Sequence, residues 1–219
     1  MLLILDTSFS ISQHQLLRHT LVLQQFYSAF HVAKYLPLPL PLTVDLAIKE
    51  KNIEDYPFLV NTGEIGELIV KYDWSKTCIG DILDWSLSLK ITLGNILHSA
   101  FPMFLFWGDD FLCFYNEAFR PSLGVNGKHP AIGKKAIVVW GEIWHIIGPL
   151  IQKVVVTHEP VWFEDQLVPF YRNGRVEDIY WTFSYSPAFG EDDKVKGVLV
   201  TCMETTKSVL ARQEKDRKD

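Results

Sequence analysis

Between Ile179 and Ser186 the side chains alternate without a break: Ile179, Trp181, Phe183 and Tyr185 fall on one parity, Tyr180, Thr182, Ser184 and Ser186 on the other. Only an extended chain turns successive side chains to opposite sides, so this stretch is a strand with one aromatic face. Turn-forming pairs and clusters bracket it, Asn173-Gly174 before and Glu191-Asp192-Asp193 after, and the runs Val161 to Phe170 and Val195 to Met203 supply neighbours. The expectation is a meander of three antiparallel strands. An aromatic sheet face has to be covered, and the rest of the chain must supply the cover.

The cover is legible upstream. From Leu83 to Ala100 the residues Trp85, Leu89, Leu93, Ile96, Leu97 and Ala100 make one helical stripe, widened by Leu83, Leu87 and Ile91, and Pro102 ends the segment. Glu64 to Tyr72 reads as a shorter helix, stopped by Asp73-Trp74-Ser75. Met103 to Trp107 and Phe111 to Tyr115, joined by Gly108-Asp109-Asp110, read as a β-hairpin. Asn116 is placed to cap a brief helix that Gly124 closes. Short turns follow over Lys128 to Val139, and Trp144, Ile147, Ile151, Val154 and Val155 recur at helical spacing within Trp140 to Thr157, despite Pro149. The sum is an α+β fold: a five-stranded antiparallel sheet with short helices on one face, an N-terminal helical extension and a C-terminal exit helix.

Residues 1–60 are of different character. Leu16, Leu23, Phe26, Tyr27 and Phe30 have roughly helical spacing, and Leu36 to Leu42 then interleaves leucine with Pro37, Pro39 and Pro41, which favours an extended spacer. The division expected is an extension over 1–60, flanking helices over 61–101, the sheet-bearing domain over 102–206 and the start of a charged exit helix over 207–219.

Lys plus Arg total 21 against 26 for Asp plus Glu, a net charge of -5, which gives no electrostatic grip on a phosphate backbone and argues against a nucleic-acid partner. Cys78, Cys113 and Cys202 are odd in number and far apart, which fits neither a disulfide framework nor a paired-cysteine metal clip and favours a reducing cytoplasm. The opening Met1 to Leu5 stops at Asp6, far short of the ~18 apolar residues of a spanning helix, so a soluble chain without a membrane partner is expected.

The chain carries few motifs of chemistry. His158-Glu159 resembles a phosphoacceptor dipeptide but runs into Pro160 and a strand-like stretch, and Gly63-Glu64-Ile65-Gly66 lacks the Lys-Ser/Thr of a phosphate cradle. His98, His129, His145 and His158 form no ligand pair with one another or with a cysteine, so no metal site is expected. Cys113 lies between Leu112 and Phe114, outside the Asn-Cys-Arg context of flavin photochemistry; neither flavin nor haem is supported. Glu164-Asp165 point to opposite faces of a strand, and no nucleophile elbow occurs. The chain itself is expected to be no enzyme.

The element order and a series of short words resemble a PAS domain, of the kind at the N-terminal end of bacterial sensor histidine kinases. The words are Gly63-Glu64, Asp73-Trp74-Ser75, Phe101-Pro102-Met103 with Trp107-Gly108, Tyr115 through Pro121, Leu123-Gly124, Lys128-His129-Pro130, Gly133, Trp140, Glu142-Ile143-Trp144, Ile147-Gly148-Pro149, Thr182 through Pro187 and Glu204-Thr205-Thr206, spread over about residues 63 to 207. The resemblance implies a sheet and overlying helices that enclose a small ligand, with the last strand running into a signalling helix through Glu204, Thr205 and Thr206. On the residues, the candidate wall is aromatic, comprising Trp107, Tyr115, Phe119, Trp140, Trp144, Trp181, Phe183 and Tyr185, with Asn116 and Arg120 as its polar members and His129 beside them. A filled core is the bland alternative for the same rings. The function implied is sensory: a small organic ligand or a partner shifts the exit helix and biases a histidine kinase, in cis or in trans, through a homodimer of a phosphorelay system. A ligand-free interaction and dimerisation domain is the rival.

Overall fold

The computed structural model describes residues 51–218. The Leu16 to Phe30 stripe and the proline ladder lie outside the described residues. Tyr56, between the 3-10 turns Ile53–Asp55 and Pro57–Leu59, and Leu59, at the end of the second, are already buried in the core, and Leu59 is fully so.

Among the described residues seven strands form two sheets: β1 (Met103–Trp107), β2 (Leu112–Tyr115), β3 (Val161–Leu167), β6 (Tyr180–Phe189) and β7 (Val195–Glu204) make a five-stranded sheet ordered β2-β1-β7-β6-β3, and β4 (Phe170–Arg172) and β5 (Arg175–Glu177) make a separate hairpin. Every pairing is antiparallel. The expected α+β architecture is therefore present. At β1–β7 the ladder is tight enough that a Cβ on Gly197 would sit 2.4 Å from the Phe106 carbonyl oxygen, which is why this position has no side chain.

One expected junction differs. Asn173-Gly174 does make a hairpin turn, with both residues at positive φ, but it joins β4 to β5 and not the long strands to each other. Pro169 has no N–H to give the ladder, so the chain leaves the sheet after the Val168 N–H bonds the Ile179 carbonyl (2.8 Å) and comes back only at Tyr180.

Among the described residues five α-helices accompany the strands: α1 (Gly63–Lys71), α2 (Leu87–Leu97), α3 (Ala136–Val139), α4 (Trp144–Thr157) and α5 (Thr206–Asp216). The helix expected from Leu83 to Ala100 is shorter, because Ile82–Asp84 is a 3-10 turn and Ser86 starts α2 by accepting the Leu89 N–H (3.2 Å). Leu89, Leu93, Ile96 and Leu97 are buried as the stripe predicts; Leu83, Leu87 and Ile91 are exposed and do not widen it. Helix α1 begins where Glu117 Oε1 accepts the Ile65 N–H (3.1 Å), and the same carboxylate fills the space that a Cβ on Gly63, at φ 68°, would need.

The strand register sorts side chains by face. Phe104 opposes Tyr115 and Val200, and Phe106 opposes Cys113 and Val198, so these point to one face, the inner one; Leu105, Trp107, Leu112 and Phe114 point to the other. On the outer face Trp74 stacks on Phe114 at 5.2 Å with Trp85 edge-on to both, and the Trp74 indole N–H donates to the Ile69 carbonyl (2.7 Å). The segment before β1 thus covers the outer face of β1 and β2, while α4 packs against β6 and β7. Helices cover both faces at the β1–β2 end, an arrangement beyond the one-face layer read from the sequence.

Candidate ligand cavity and exit junction

A cavity of about 70 Å³ lies on the inner face, between the sheet and the roof made by the chain from Phe119 to α4. Phe104, Phe106, Val200 and Cys202 form its floor near the sheet centre, Trp181, Phe183 and Tyr185 the floor on β6, and Phe119, Trp140, Ile143, Ile147 and Val168 the roof and rim. No charged side chain lines it. Of the residues singled out in the sequence, Phe119, Trp140, Trp181, Phe183 and Tyr185 meet here.

The other five do not. Trp107 is buried on the outer face, against Gly197, because it shares parity with Leu105 and not with Phe106. Tyr115 is on the inner face, but its hydroxyl is committed: it accepts the Ala131 N–H (3.0 Å) and donates to His129 Nδ1 (2.8 Å), and burial raises it to about 12. Asn116 has no capacity left for a ligand. Its Oδ1 accepts from the Met103 and Phe119 N–H groups and its Nδ2 reaches the carbonyls of Ile96, Ser99 and Phe101, all between 2.7 and 3.1 Å. Arg120 pairs with Glu64 (2.5 Å) and Glu117 (3.4 Å) at the surface, and Trp144 lies beside Phe111 and Gly148. His129 sits between Tyr115 and Glu64 (3.4 Å), which holds the Glu64 carboxyl below its ordinary range.

Phe104 and Phe106 were hidden in the sequence because β1 is apolar on both parities: Met103 through Trp107 offers no polar face against which to read the inner one. Val200 and Cys202 become wall residues through their pairing with Tyr185 and Phe183.

The roof is held by charge. Lys128 lies over the Trp140 ring (5.3 Å to its centre), donates to the Val139 carbonyl (2.8 Å) and pairs with Glu142 (2.5 Å). Glu142 in turn accepts the Tyr171 N–H of β4 (3.2 Å), and its carboxyl is lowered by Lys128 against the raising effect of burial. The Trp140 indole N–H faces the Cys113 sulfur, a thiol that burial drives upward.

The next residue of β4 reaches the exit. Arg172 bonds Glu204 with two nitrogens (2.8 and 2.9 Å) and Glu177 with a third (2.8 Å), and it lowers both carboxyls while its own affinity for the proton rises. Thr206, at the start of α5, accepts the Tyr180 N–H (3.0 Å), and the Thr205 N–H donates to the Tyr180 carbonyl (2.8 Å). Arg212 of α5 pairs with Asp165, at a bulge of β3; the Thr205 hydroxyl and Arg212 together lower that carboxyl. Glu204, Thr205 and Thr206 are all at the junction, as read from the sequence. Arg172, which joins the junction to the roof, was missed: in the sequence it is one turn-flanking cation among many.

Among the described residues no group of three or more His, Cys, Asp or Glu is placed to hold a metal ion, and no helix is long and apolar enough to cross a membrane. The cavity is well below the 300–1,000 Å³ of pockets that enclose cofactor-sized molecules, about 300 Å³ at the least.

No family model matches the sequence, and no curated protein does. Similar solved structures include a sensory box sensor histidine kinase from Vibrio cholerae, 16% identical over 53% of this chain and 86% of that one, at a TM-score of 0.36. A PAS domain from Colwellia psychrerythraea is 17% identical over 54% and 98%, at 0.40, and an RNA-binding light-oxygen-voltage receptor is 15% identical over 58% and 38%, at 0.41. Likenesses this distant say nothing of ligand, activity or partner. The fold is PAS-like on its own strand order: hairpin and meander interleaved as β2-β1-β7-β6-β3, helices crossing the inner face, and a helix leaving the last strand.

Proposed function

We propose that the chain is a non-catalytic sensory module, in which a small molecule between sheet and roof shifts the exit helix and so biases an effector joined to it, a histidine kinase domain in cis or in trans, in the cytoplasm. The observation that carries this reading is the dual use of β7: Val200 and Cys202 face the cavity, and Glu204, two residues on, takes the Arg172 clasp before α5 begins. At ~3.3 Å per residue, cavity wall and clasp are within about 14 Å along one strand. A second connection supports it, running from Trp140 through Lys128 and Glu142 to Tyr171 and Arg172 on the β4–β5 hairpin. Coupling of about 1–3 kcal/mol between occupancy and exit position would change the effector bias five- to 150-fold.

Native mass spectrometry of the full chain, purified without denaturation, tests occupancy. A reproducible small adduct released by mild activation supports the reading, and a chain that stays empty and takes up no small uncharged molecule at millimolar concentration overturns it.

The rival, a ligand-free dimerisation domain, is favoured by one feature: Trp162 of β3 and Met203 of β7 are exposed on the outer face of the β3-β6-β7 half, which among the described residues is not roofed as the β1–β2 half is. Replacing both with serine would abolish self-association under that reading and leave ligand uptake intact under the first.

A further inference from the structure

Tyr185 is the cavity wall's odd member. It is 6% exposed, lies among the Phe106 and Phe183 rings, and its hydroxyl makes no hydrogen bond with any described residue. Its neighbours across the ladder, Val161 and Val200, have no side-chain group that could accept one. The hydroxyl is not one of the fully enclosed polar atoms that lack a partner among the described residues, so on an otherwise buried side chain it keeps some accessible surface and is available to a molecule that enters beside it. Burial pushes this phenol upward, which keeps it protonated and a donor.

We infer that Tyr185 is the specificity-determining residue of the cavity and that the ligand is a small uncharged molecule, mainly apolar, with one hydrogen-bond acceptor such as a carbonyl oxygen directed at the Tyr185 hydroxyl. Charge is excluded by the wall, which offers no counter-ion and would strip an ion of its water. Size follows from the volume: about 70 Å³ is half of the roughly 150 Å³ cavity that takes benzene, so the unexpanded site has room for a molecule of about four or five heavy atoms. Of the other polar groups at the wall, the Trp140 N–H faces Cys113 and the Cys202 thiol points toward the Pro102 carbonyl (4.0 Å). The Tyr185 hydroxyl is therefore the donor assigned to the ligand, and shape does the rest.

This inference rests on the cavity being a ligand site, and the test separates the two. Cyclobutanone and methylenecyclobutane have nearly the same shape and differ in one acceptor. Each is titrated into the 219-residue chain and its Tyr185→Phe variant, followed by the fluorescence of the wall tryptophans and by amide shifts along β6 and β7. The variant loses no hydrogen bond and is expected to fold, which its unfolding midpoint verifies. The expected result is a loss of about tenfold in cyclobutanone affinity on Tyr185→Phe, with methylenecyclobutane changed less than about twofold. Equal effects on both molecules, or none on either, overturn the role of Tyr185 while the cavity remains a binding site. Failure of both molecules to bind either protein overturns the ligand reading together with it.

Discussion

On the outer face of β1 and β2, Trp74, Trp85 and Phe114 pack ring to ring with centroids 4.9–5.8 Å apart, and Asn116 beside them spends every donor and acceptor on backbone groups. On the inner face of β6 and β7 the aromatic residues also touch, Phe183 to Tyr185 at 5.1 Å and Phe104 to Trp140 at 5.8 Å, yet sheet and roof leave about 70 Å³ between them and a tyrosine hydroxyl with no partner among the described residues. Composition does not separate the two regions. Satisfaction does: where volume and hydrogen bonds are both used up, aromatic residues build a scaffold, and where both are left over, the same residue types build a site.

The contrast can be broken by mutation. Asn116→Ala has the largest expected effect, about 3–5 kcal/mol in urea unfolding, because it strands two N–H groups and uncouples three carbonyls at a fully buried point. A cost below about 1 kcal/mol would mean the scaffold is not where stability lies. Adding one methylene on each side sharpens the point: Val70→Ile, in the close-packed region, should cost about 1–3 kcal/mol, whereas Val200→Ile grows into space and should stay within about 0.5 kcal/mol while weakening ligand uptake.

The clasp is expected to be weaker than either core. Arg172→Gln should lower stability by about 1 kcal/mol, since the pair is partly screened by solvent, yet it should raise amide exchange across Thr206–Asp216 far more than elsewhere. Folding holds the Glu204 carboxyl below its ordinary 4.5, so the clasp contributes fully above about pH 4.5 and is lost as pH falls through the lower folded value. Acid titration of the Glu204 carboxyl by NMR should show this in the native protein and lose the depression in Arg172→Gln. Smallest of all is Tyr185→Phe, expected within about 0.5 kcal/mol of the parent or slightly above it; a loss of more than about 1.5 kcal/mol would show that the hydroxyl is tied down after all.

How much of this the sequence showed depended on contrast between neighbouring side chains. The β6 strand was legible because Thr182, Ser184 and Ser186 mark its outer face, and with it came Trp181, Phe183 and Tyr185. In β1 both parities are apolar, since helices cover both faces there, so Trp107 could not be told from Phe106. The Asn173-Gly174 turn had the right chemistry, but which strands it joins was decided by Pro169, which ends the ladder. The meaning of Arg172 depends on Glu204, distant in sequence and brought near only by the β4–β5 hairpin, and Asn116 gave its capping role while concealing that the cap exhausts it.

The central claim, that cavity and exit are one connected device, is tested by a single titration of the 219-residue chain with cyclobutanone, with the Val200 methyls and the Val209 methyls followed together by NMR. The account predicts that Val209, the buried anchor of α5, shifts along the same saturation curve as Val200 in the cavity wall, and that Arg172→Gln shrinks the Val209 response while leaving that of Val200 in place. Saturation at Val200 with Val209 unmoved in the parent protein would contradict it.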